Sequence, residues 1–261
     1  MDFDRACRAI EEQSRRIAEM LREARDPSVH AVGEWSLNEL AAHLAAMGEL
    51  QERYAAGEGS PVRSIDGLAD FNDERLRSYV DEELGVLADI LERGTKAAVE
   101  QLRADGPDRV LPWIAGIEIT AASLASVIVG ELLVHGYDIA RAVGRPWRIE
   151  RDDALLVFDG VVELMPHYVD SQAARGLTAT LELRMRRGPS RHLVFRNGGL
   201  TVEDATLARR VDCHISADPV AFLLVGYGRI GPIAPALTGK MLAWGRRPWL
   251  ALKLPRVLKK P

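Results

Sequence analysis

The sequence has only two cysteines, Cys7 and Cys213, among its 261 residues. Two distant thiols exclude a disulfide framework and a Cys-x-x-Cys metal site, and they suit a reducing compartment. An excess of basic charge is also lacking, since 34 Lys and Arg face 38 Asp and Glu. A general nucleic-acid-binding protein would carry a strongly basic surface, so we expect no nucleic-acid partner.

Long runs of purely apolar residues are missing too. The first five residues, MDFDR, do not form the apolar core of a signal peptide. The longest apolar-rich stretch, residues 117–134, contains Glu118 and Glu131, which favours a buried helix over a membrane span. We therefore expect a cytoplasmic protein with no membrane partner, present as a monomer or homodimer. At 47% hydrophobic residues, the chain has enough apolar material for a core.

Helical periodicity dominates the first half of the chain. Ser36 and Glu39 have the spacing of a capping box, in which the serine side chain and the glutamate side chain each satisfy the other's backbone amide. Apolar spacing and helix-ending Gly and Pro residues predict four helices, over residues 4–25, 36–56, 72–102 and 120–143. Four antiparallel helices joined by a long crossover predict a bundle over residues 1–149.

The pattern changes after this point, and residues 150–261 are predicted to form a second, α+β domain. Alternation with period two indicates strands, and an Asn-Gly-Gly turn indicates a hairpin. The predicted elements are helices over residues 152–169 and 218–224 and strands over residues 177–185, 191–196, 200–203 and 211–216.

Glu131 and His135 are four residues apart on the fourth predicted helix, so their side chains lie on one face. That face is otherwise apolar, and an ionisable pair on an inward face is costly unless it is paired or bound to a metal. Asp138 follows His135 by three residues and is placed to orient its imidazole. The alternative interpretation is a buried ion pair.

His43 lies on the apolar side of the second predicted helix. If the second and fourth helices are neighbours, two imidazoles and one carboxylate converge. This is a ligand set of catalytic zinc that leaves one coordination position open. It also suits iron, nickel and other divalent ions. The competing interpretation of His43 is a satisfied core histidine.

Two segments resemble a known family. Residues 35–44, WSLNELAAHL, and residues 131–146, ELLVHGYDIARAVGRP, are similar to the second-helix and fourth-helix motifs of the DinB-like, mycothiol-dependent maleylpyruvate isomerases. That family holds a divalent metal with a His of the first motif and a Glu and a His of the second. The resemblance implies that His43, Glu131 and His135 are metal ligands, and we expect the metal to be zinc.

Residues 150–261 resemble the C-terminal domain of the same family, which is related to sterol-carrier proteins. The likeness is carried by residues 213–219, 237–240 and 244–245. The expected fold is therefore a DinB-like four-helix bundle followed by a smaller α+β sterol-carrier-like domain. The functional Arg of the family's C-terminal domain has three candidate positions here, Arg229, Lys240 and Arg246.

The resemblance implies an enzyme with mycothiol as thiol cosubstrate and an electrophilic small-molecule substrate, acting as an isomerase or an S-transferase. Asp138 would support His135, and Arg141 would bind an anionic substrate group or, alternatively, complement the helix dipole. Residues 1–149 are expected to bind metal alone and to need residues 150–261 for activity. A sterol-carrier-type protein that binds an apolar ligand and a metal-dependent hydrolase remain alternative functions.

Overall fold

Helices build the first of two units, Met1–Ile149, in this computed structural model, which describes residues 1–205 and 208–259. The helices of this unit are α1 (Phe3–Glu23), α2 (Leu37–Ala55), α3 (Leu68–Leu76), α4 (Leu84–Asp105) and α5 (Ala121–Ala142). Helix α1 packs on α4 and α5, and α2 packs mainly on α4 and also on α5. The four long helices thus close around one apolar core, as in a four-helix bundle.

Two small hairpins lead into α2 and α5. Strands β1 (His30–Val32) and β2 (Trp35–Ser36) pair before α2, and strands β3 (Val110–Pro112) and β4 (Glu118–Thr120) pair before α5. The last residue of each hairpin is also the N-cap of the helix. The Ser36 side chain accepts from the Glu39 amide in a complete capping box, and the Thr120 side chain accepts from the Ser123 amide. The hairpins therefore fix where both helices begin.

Helices α2 and α4 cross backbone to backbone at Gly48 and Gly94. A Cβ atom on Gly94 would lie only 2.4 Å from the Gly48 carbonyl carbon, and one on Gly48 would lie 3.3 Å from the Leu91 Cα. A side chain at the Gly94 position would therefore force the two helices apart. The crossing sets the separation of α2 and α4 without any intervening side chain.

The helix predicted over residues 72–102 is wrong as a single element. The chain forms α3 and α4 there, separated by turns over residues 77–83. Glu83 has the extended conformation of an N-cap, with ψ of 149°, and the Val80 carbonyl accepts a hydrogen bond of 2.5 Å from the Asn38 side chain. The helix is interrupted because the Val80 carbonyl accepts a hydrogen bond from a side chain of α2 and because Glu83 is extended. The apolar spacing nevertheless continues across the break.

Helix α5 is the one described helix that is long and apolar enough to cross a membrane by length and composition. Of its most apolar window, 78% is buried within the protein, and its residues pack against α1, α2 and α4. A membrane-spanning helix would instead present apolar side chains to lipid. Helix α5 is the core helix of a soluble protein.

The second unit, Glu150–Pro261, is a five-stranded sheet with helices. Its strands lie in the order β7-β6-β5-β8-β9, and only the β5–β8 pair is parallel among the described strands. The elements are α6 (Arg151–Leu164), β5 (Ala179–Met185), β6 (Ser190–Arg196), β7 (Gly199–Asp204), β8 (Cys213–Ala217), α7 (Pro219–Gly226), α8 (Ile233–Leu237), β9 (Met241–Trp244) and α9 (Leu254–Val257). The predicted fold class, a helical bundle followed by a smaller α+β unit, is confirmed.

One face of this sheet is apolar and the other is polar. Leu181 and Leu183 of β5 belong to the core, which also contains Phe158 of α6. Glu182 and Arg184 alternate with them and therefore point to the opposite face. The predicted strands correspond to β5, β6, β7 and β8, whereas β9 had no counterpart in the sequence prediction.

Candidate metal centre

Three potential metal ligands converge inside the helical unit. His43 lies in the second turn of α2, and Glu131 and His135 lie one turn apart on α5. Each of the three offers a ligand atom, and these atoms lie within 4.8 Å of one another. His43 and His135 are 7% and 8% exposed, so the donors come together beneath the surface of the bundle.

The spacing of the ligand atoms suits a small divalent cation. Zinc binds imidazole nitrogen and carboxylate oxygen at about 2.1 Å, which separates two ligands of a tetrahedron by about 3.4 Å. The distance from His135 Nε2 to Glu131 Oε2 is 3.4 Å. The His43 and His135 rings meet edge to face, with centroids 5.1 Å apart and planes inclined by 70°. The donor set therefore fits the predicted metal in chemistry and in size.

The carboxylate of Asp138 lies beside one of the two imidazoles. Its Oδ2 lies 3.3 Å from His135 Nδ1, and the residue is fully buried. When Nδ1–H donates to this carboxylate, the lone pair of Nε2 points to the side where Glu131 lies. A carboxylate behind a ligating histidine fixes its tautomer and raises its basicity, so the arrangement favours cation binding.

Trp35 of β2 contacts the other imidazole. The ring centroids of Trp35 and His43 are 5.0 Å apart, with planes inclined by 38°. Because Trp35 directly precedes the N-cap of α2, the hairpin that starts the helix also packs against the candidate ligand His43. Trp35 has no role in the predictions from the sequence, although it is the first residue of the motif that contains His43.

Comparison with known proteins identifies the family. The family model of the mycothiol maleylpyruvate isomerase N-terminal domain matches residues 7–140, which is more than half of the chain and includes all three candidate ligands. The chain belongs to the mycothiol-dependent maleylpyruvate isomerase family. No curated protein matches the sequence.

Two crystal structures of a mycothiol-dependent maleylpyruvate isomerase share the fold of this chain. One, of a variant with a histidine replaced by alanine, has a TM-score of 0.56 at 13% identity and covers 93% of each chain. The other has a TM-score of 0.55 at 14% identity and covers 88% of this chain and 90% of its own. The likeness extends over both units of the chain.

A tryptophan packs against α5 next to His135. The Trp147 Nε1–H donates to the Leu133 carbonyl at 3.0 Å. A Cβ atom at Gly136 would lie 2.1 Å from Trp147 Cζ2, and the Arg16 guanidinium lies 4.0 Å from the centre of the same indole. Only a glycine at this position leaves room for the ring. The sequence signal was the glycine directly after the second histidine.

The four basic residues that were predicted as candidates for binding the substrate are divided between the two units of the chain. Arg141 is exposed in the last turn of α5 and donates to the Ala31 carbonyl of β1 at 3.2 Å. In Glu150–Pro261, a guanidinium nitrogen of Arg229 donates to a backbone carbonyl at 2.7 Å, Lys240 is exposed, and Arg246 lies 3.5 Å from a carboxylate oxygen of Asp212. Their part in the chemistry remains a prediction.

Proposed function

We propose that this protein is a metal-dependent enzyme that uses mycothiol to isomerise a small electrophilic substrate. The proposed metal dependence is supported by the convergence of the ligand atoms of His43, Glu131 and His135, which lie within 4.8 Å of one another. Membership of the isomerase family supports the thiol and the reaction type. Zinc is the proposed metal, because two imidazoles and one carboxylate are one of its catalytic ligand sets. Two free, buried cysteines suit a cytoplasmic location.

Each residue of the centre has a distinct part. His43, Glu131 and His135 would hold the cation, and Asp138 would keep the proton of His135 on Nδ1. A divalent cation bound there would favour the thiolate form of a thiol that is mostly protonated at neutral pH when free. The Glu131 side chain is 22% exposed against 10% for His135, so the thiol would approach from the side of the carboxylate.

The proposed reaction uses the thiol sulfur as a reversible nucleophile. The sulfur forms a bond to one carbon of a conjugated double bond, and the electron pair moves to the adjacent carbonyl. The remaining carbon–carbon single bond then rotates. When the electron pair returns, the carbon–sulfur bond breaks and the thiol is released unchanged. In an S-transferase the sulfur would stay on the product.

A positively charged side chain would bind an anionic group of such a substrate. Arg141 is the candidate in the helical unit, and the candidates in the second unit are Arg229, Lys240 and Arg246. Under this proposal, replacing at least one of the four with Gln lowers thiol-dependent turnover sharply while metal content stays unchanged. Unchanged turnover in all four variants would show that none of these side chains is needed to bind the anionic group of the substrate.

The deciding experiment measures metal content and turnover in the full-length protein. The wild type should carry about one divalent ion per chain, and His43→Ala and His135→Ala should each lose it. His30→Ala is the matched control, because His30 is an exposed histidine of the same unit outside the cluster. Circular dichroism should show that all three variants remain folded. Full metal occupancy in both ligand variants would reject the site.

Turnover separates the thiol enzyme from a hydrolase. Metal-replete protein should convert maleylpyruvate only when mycothiol is present, and the thiol should not be consumed. A hydrolase would use metal-bound water and would turn over an ester or amide substrate without any thiol. Thiol-independent turnover that is lost together with the metal would therefore favour the hydrolase.

A further inference from the structure

The C-terminal part of the chain is strongly basic, although the whole chain has a net charge of −4. Residues 219–261 contain eight Lys or Arg and no Asp or Glu, whereas residues 1–218 contain 26 Lys or Arg and 38 Asp or Glu. The eight basic residues are Arg229, Lys240, Arg246, Arg247, Lys253, Arg256, Lys259 and Lys260. Such a segment attracts an anionic partner and repels a second copy of itself.

The same segment exposes apolar side chains. Among the described residues, six of the nine large apolar side chains that are exposed lie between residues 233 and 252. These six are Ile233, Leu237, Leu242, Trp244, Trp249 and Leu252. They lie on α8, on the edge strand β9 and on a 3-10 helix, Pro248–Leu252. Because α8 contacts β9 and β9 contacts the 3-10 helix, these elements are neighbours, and a concentration of exposed apolar surface marks an interaction site.

The 3-10 helix and the following α9 have an inner and an outer face. The inner side chains are buried in the core of Glu150–Pro261 and are three or four residues apart: Leu250, Leu254 and Val257. The outer side chains are exposed and have similar spacing: Trp249, Leu252, Lys253 and Arg256. Residues at this spacing lie on one side of a helical segment. We call these four residues the outer face.

The charges of the outer face are not neutralised within the protein. Neither Lys253 nor Arg256 forms an ion pair with any residue that the structure describes. Trp249 is 54% exposed and Leu252 is 68% exposed, so the two cations and the two apolar side chains all face solvent. An occupant of this face must therefore offer anionic groups and an apolar environment close together.

A bilayer with anionic lipids offers both. A helix at a membrane surface places Trp and Leu at the boundary between headgroups and acyl chains, and Lys and Arg near the anionic headgroups. The long stems of Lys253 and Arg256 can follow an apolar surface while their charged ends stay in water. A bilayer presents these groups over its whole surface, whereas a protein partner would have to match each side chain separately.

We propose that the outer face binds reversibly to the surface of a membrane that contains anionic lipids. The expectation of no membrane partner rested on the lack of a membrane-spanning segment, and surface binding does not need one. The protein is soluble when it is not bound. The outer face lies within Glu150–Pro261 and contains none of the four basic residues that are candidates for binding the substrate.

The experiment measures co-sedimentation of the full-length protein with lipid vesicles. Vesicles of phosphatidylcholine mixed with phosphatidylglycerol should bind the protein, and vesicles of phosphatidylcholine alone should bind it much more weakly. Binding to the mixed vesicles should weaken as salt is added, because salt screens charges at a surface. No binding to the mixed vesicles, as expected if the face serves an acidic protein, or equal binding to both kinds of vesicle would overturn the proposal.

A charge variant tests the two cations. Lys253→Gln combined with Arg256→Gln should weaken binding roughly 30-fold, at about fivefold for each basic residue near the surface. Arg15→Gln combined with Lys96→Gln is the matched control, because it removes the same charge from side chains of the first unit that are 63% and 74% exposed. The control should bind like the wild type. Equal weakening by both double variants would show a general effect of net charge and contradict the assignment.

An apolar variant tests insertion. Leu252→Gln should weaken binding roughly fourfold or more, because one CH₂ group buried in lipid already contributes that much. Val110→Gln is the control, because Val110 is an aliphatic residue of the first unit that is 57% exposed. Circular dichroism should show that all variants are folded. Unchanged binding of Leu252→Gln, or a dimer that this substitution dissociates, would reject the membrane as the occupant of the outer face.

Discussion

Gly136→Ala is a small substitution with a large expected effect, because the added methyl group would occupy the position of an indole. The new Cβ would lie 2.1 to 2.6 Å from three ring atoms of Trp147. Trp147 is a large, rigid side chain, so it must leave its place on α5. It would then lose its hydrogen bond to Leu133 and its contact with Arg16.

The magnitude follows from these contacts. Overpacking costs about 1–3 kcal/mol, the hydrogen bond contributes about 0.5–1.5 kcal/mol, and the cation–π contact contributes about 0.5–1 kcal/mol. Alanine regains about 1 kcal/mol of helix propensity over glycine. The expected net loss in the free energy of unfolding is therefore about 1–4.5 kcal/mol. Metal affinity should fall as well, because Gly136 directly follows His135.

Urea denaturation followed by far-ultraviolet circular dichroism measures this loss. Gly85→Ala in the first turn of α4 is the control, because nothing lies within 4 Å of its added Cβ, and it should be neutral or stabilising. A double-mutant cycle with Trp147→Leu tests the cause. In that background, Gly136→Ala should cost little. If the cost is unchanged without the indole, or if Gly136→Ala is as stable as the wild type, the steric argument is wrong.

Three further outcomes are expected. Asp138→Asn should weaken metal affinity roughly 10–100-fold, as loss of a carboxylate behind a ligating histidine does, and unchanged affinity in a metal titration would remove its supporting role. A folded fragment of residues 1–149 should bind metal with little thiol-dependent turnover, and full turnover would show that the second unit is dispensable. Burial raises the pKa of the Cys7 and Cys213 thiols, so the native protein holds less thiolate than the unfolded chain at mildly alkaline pH. Both cysteines should therefore react with a thiol reagent far faster in urea than in the native state, and equal rates would show that they are accessible.

The parts of the fold that local sequence determines were predictable. The capping box of Ser36 and Glu39 places the start of α2 within one residue, and the spacing of Glu131 and His135 puts both on one face of α5. The position of His43 on the apolar side of the second predicted helix made it the candidate partner, and the resemblance supported that interpretation. Each of these inferences needs only neighbours along a helix or a motif, so tertiary structure did not have to be known.

The features that were missed depend on distant contacts. The break between α3 and α4 is associated with a hydrogen bond from Asn38, more than forty residues away, and apolar periodicity carries no trace of it. The two hairpins before α2 and α5 are only two or three residues per strand, too short for an alternation signal. Trp147 packs directly against Gly136, and although the glycine after His135 was a signal in the sequence, it could not show which distant side chain lies there.

The glycine crossing of α2 and α4 has a mechanical consequence for the proposed centre. His43 lies five residues before Gly48, about 7.5 Å along the helix axis at 1.5 Å per residue. With that lever arm, tilting α2 about the crossing by only ~1.5° would move the imidazole by about 0.2 Å, the tolerance of a coordination distance. Two helices in direct backbone contact have little freedom to tilt. If His43 binds the proposed metal, the rigidity of its position would thus depend on two residues that have no side chain, Gly48 and Gly94.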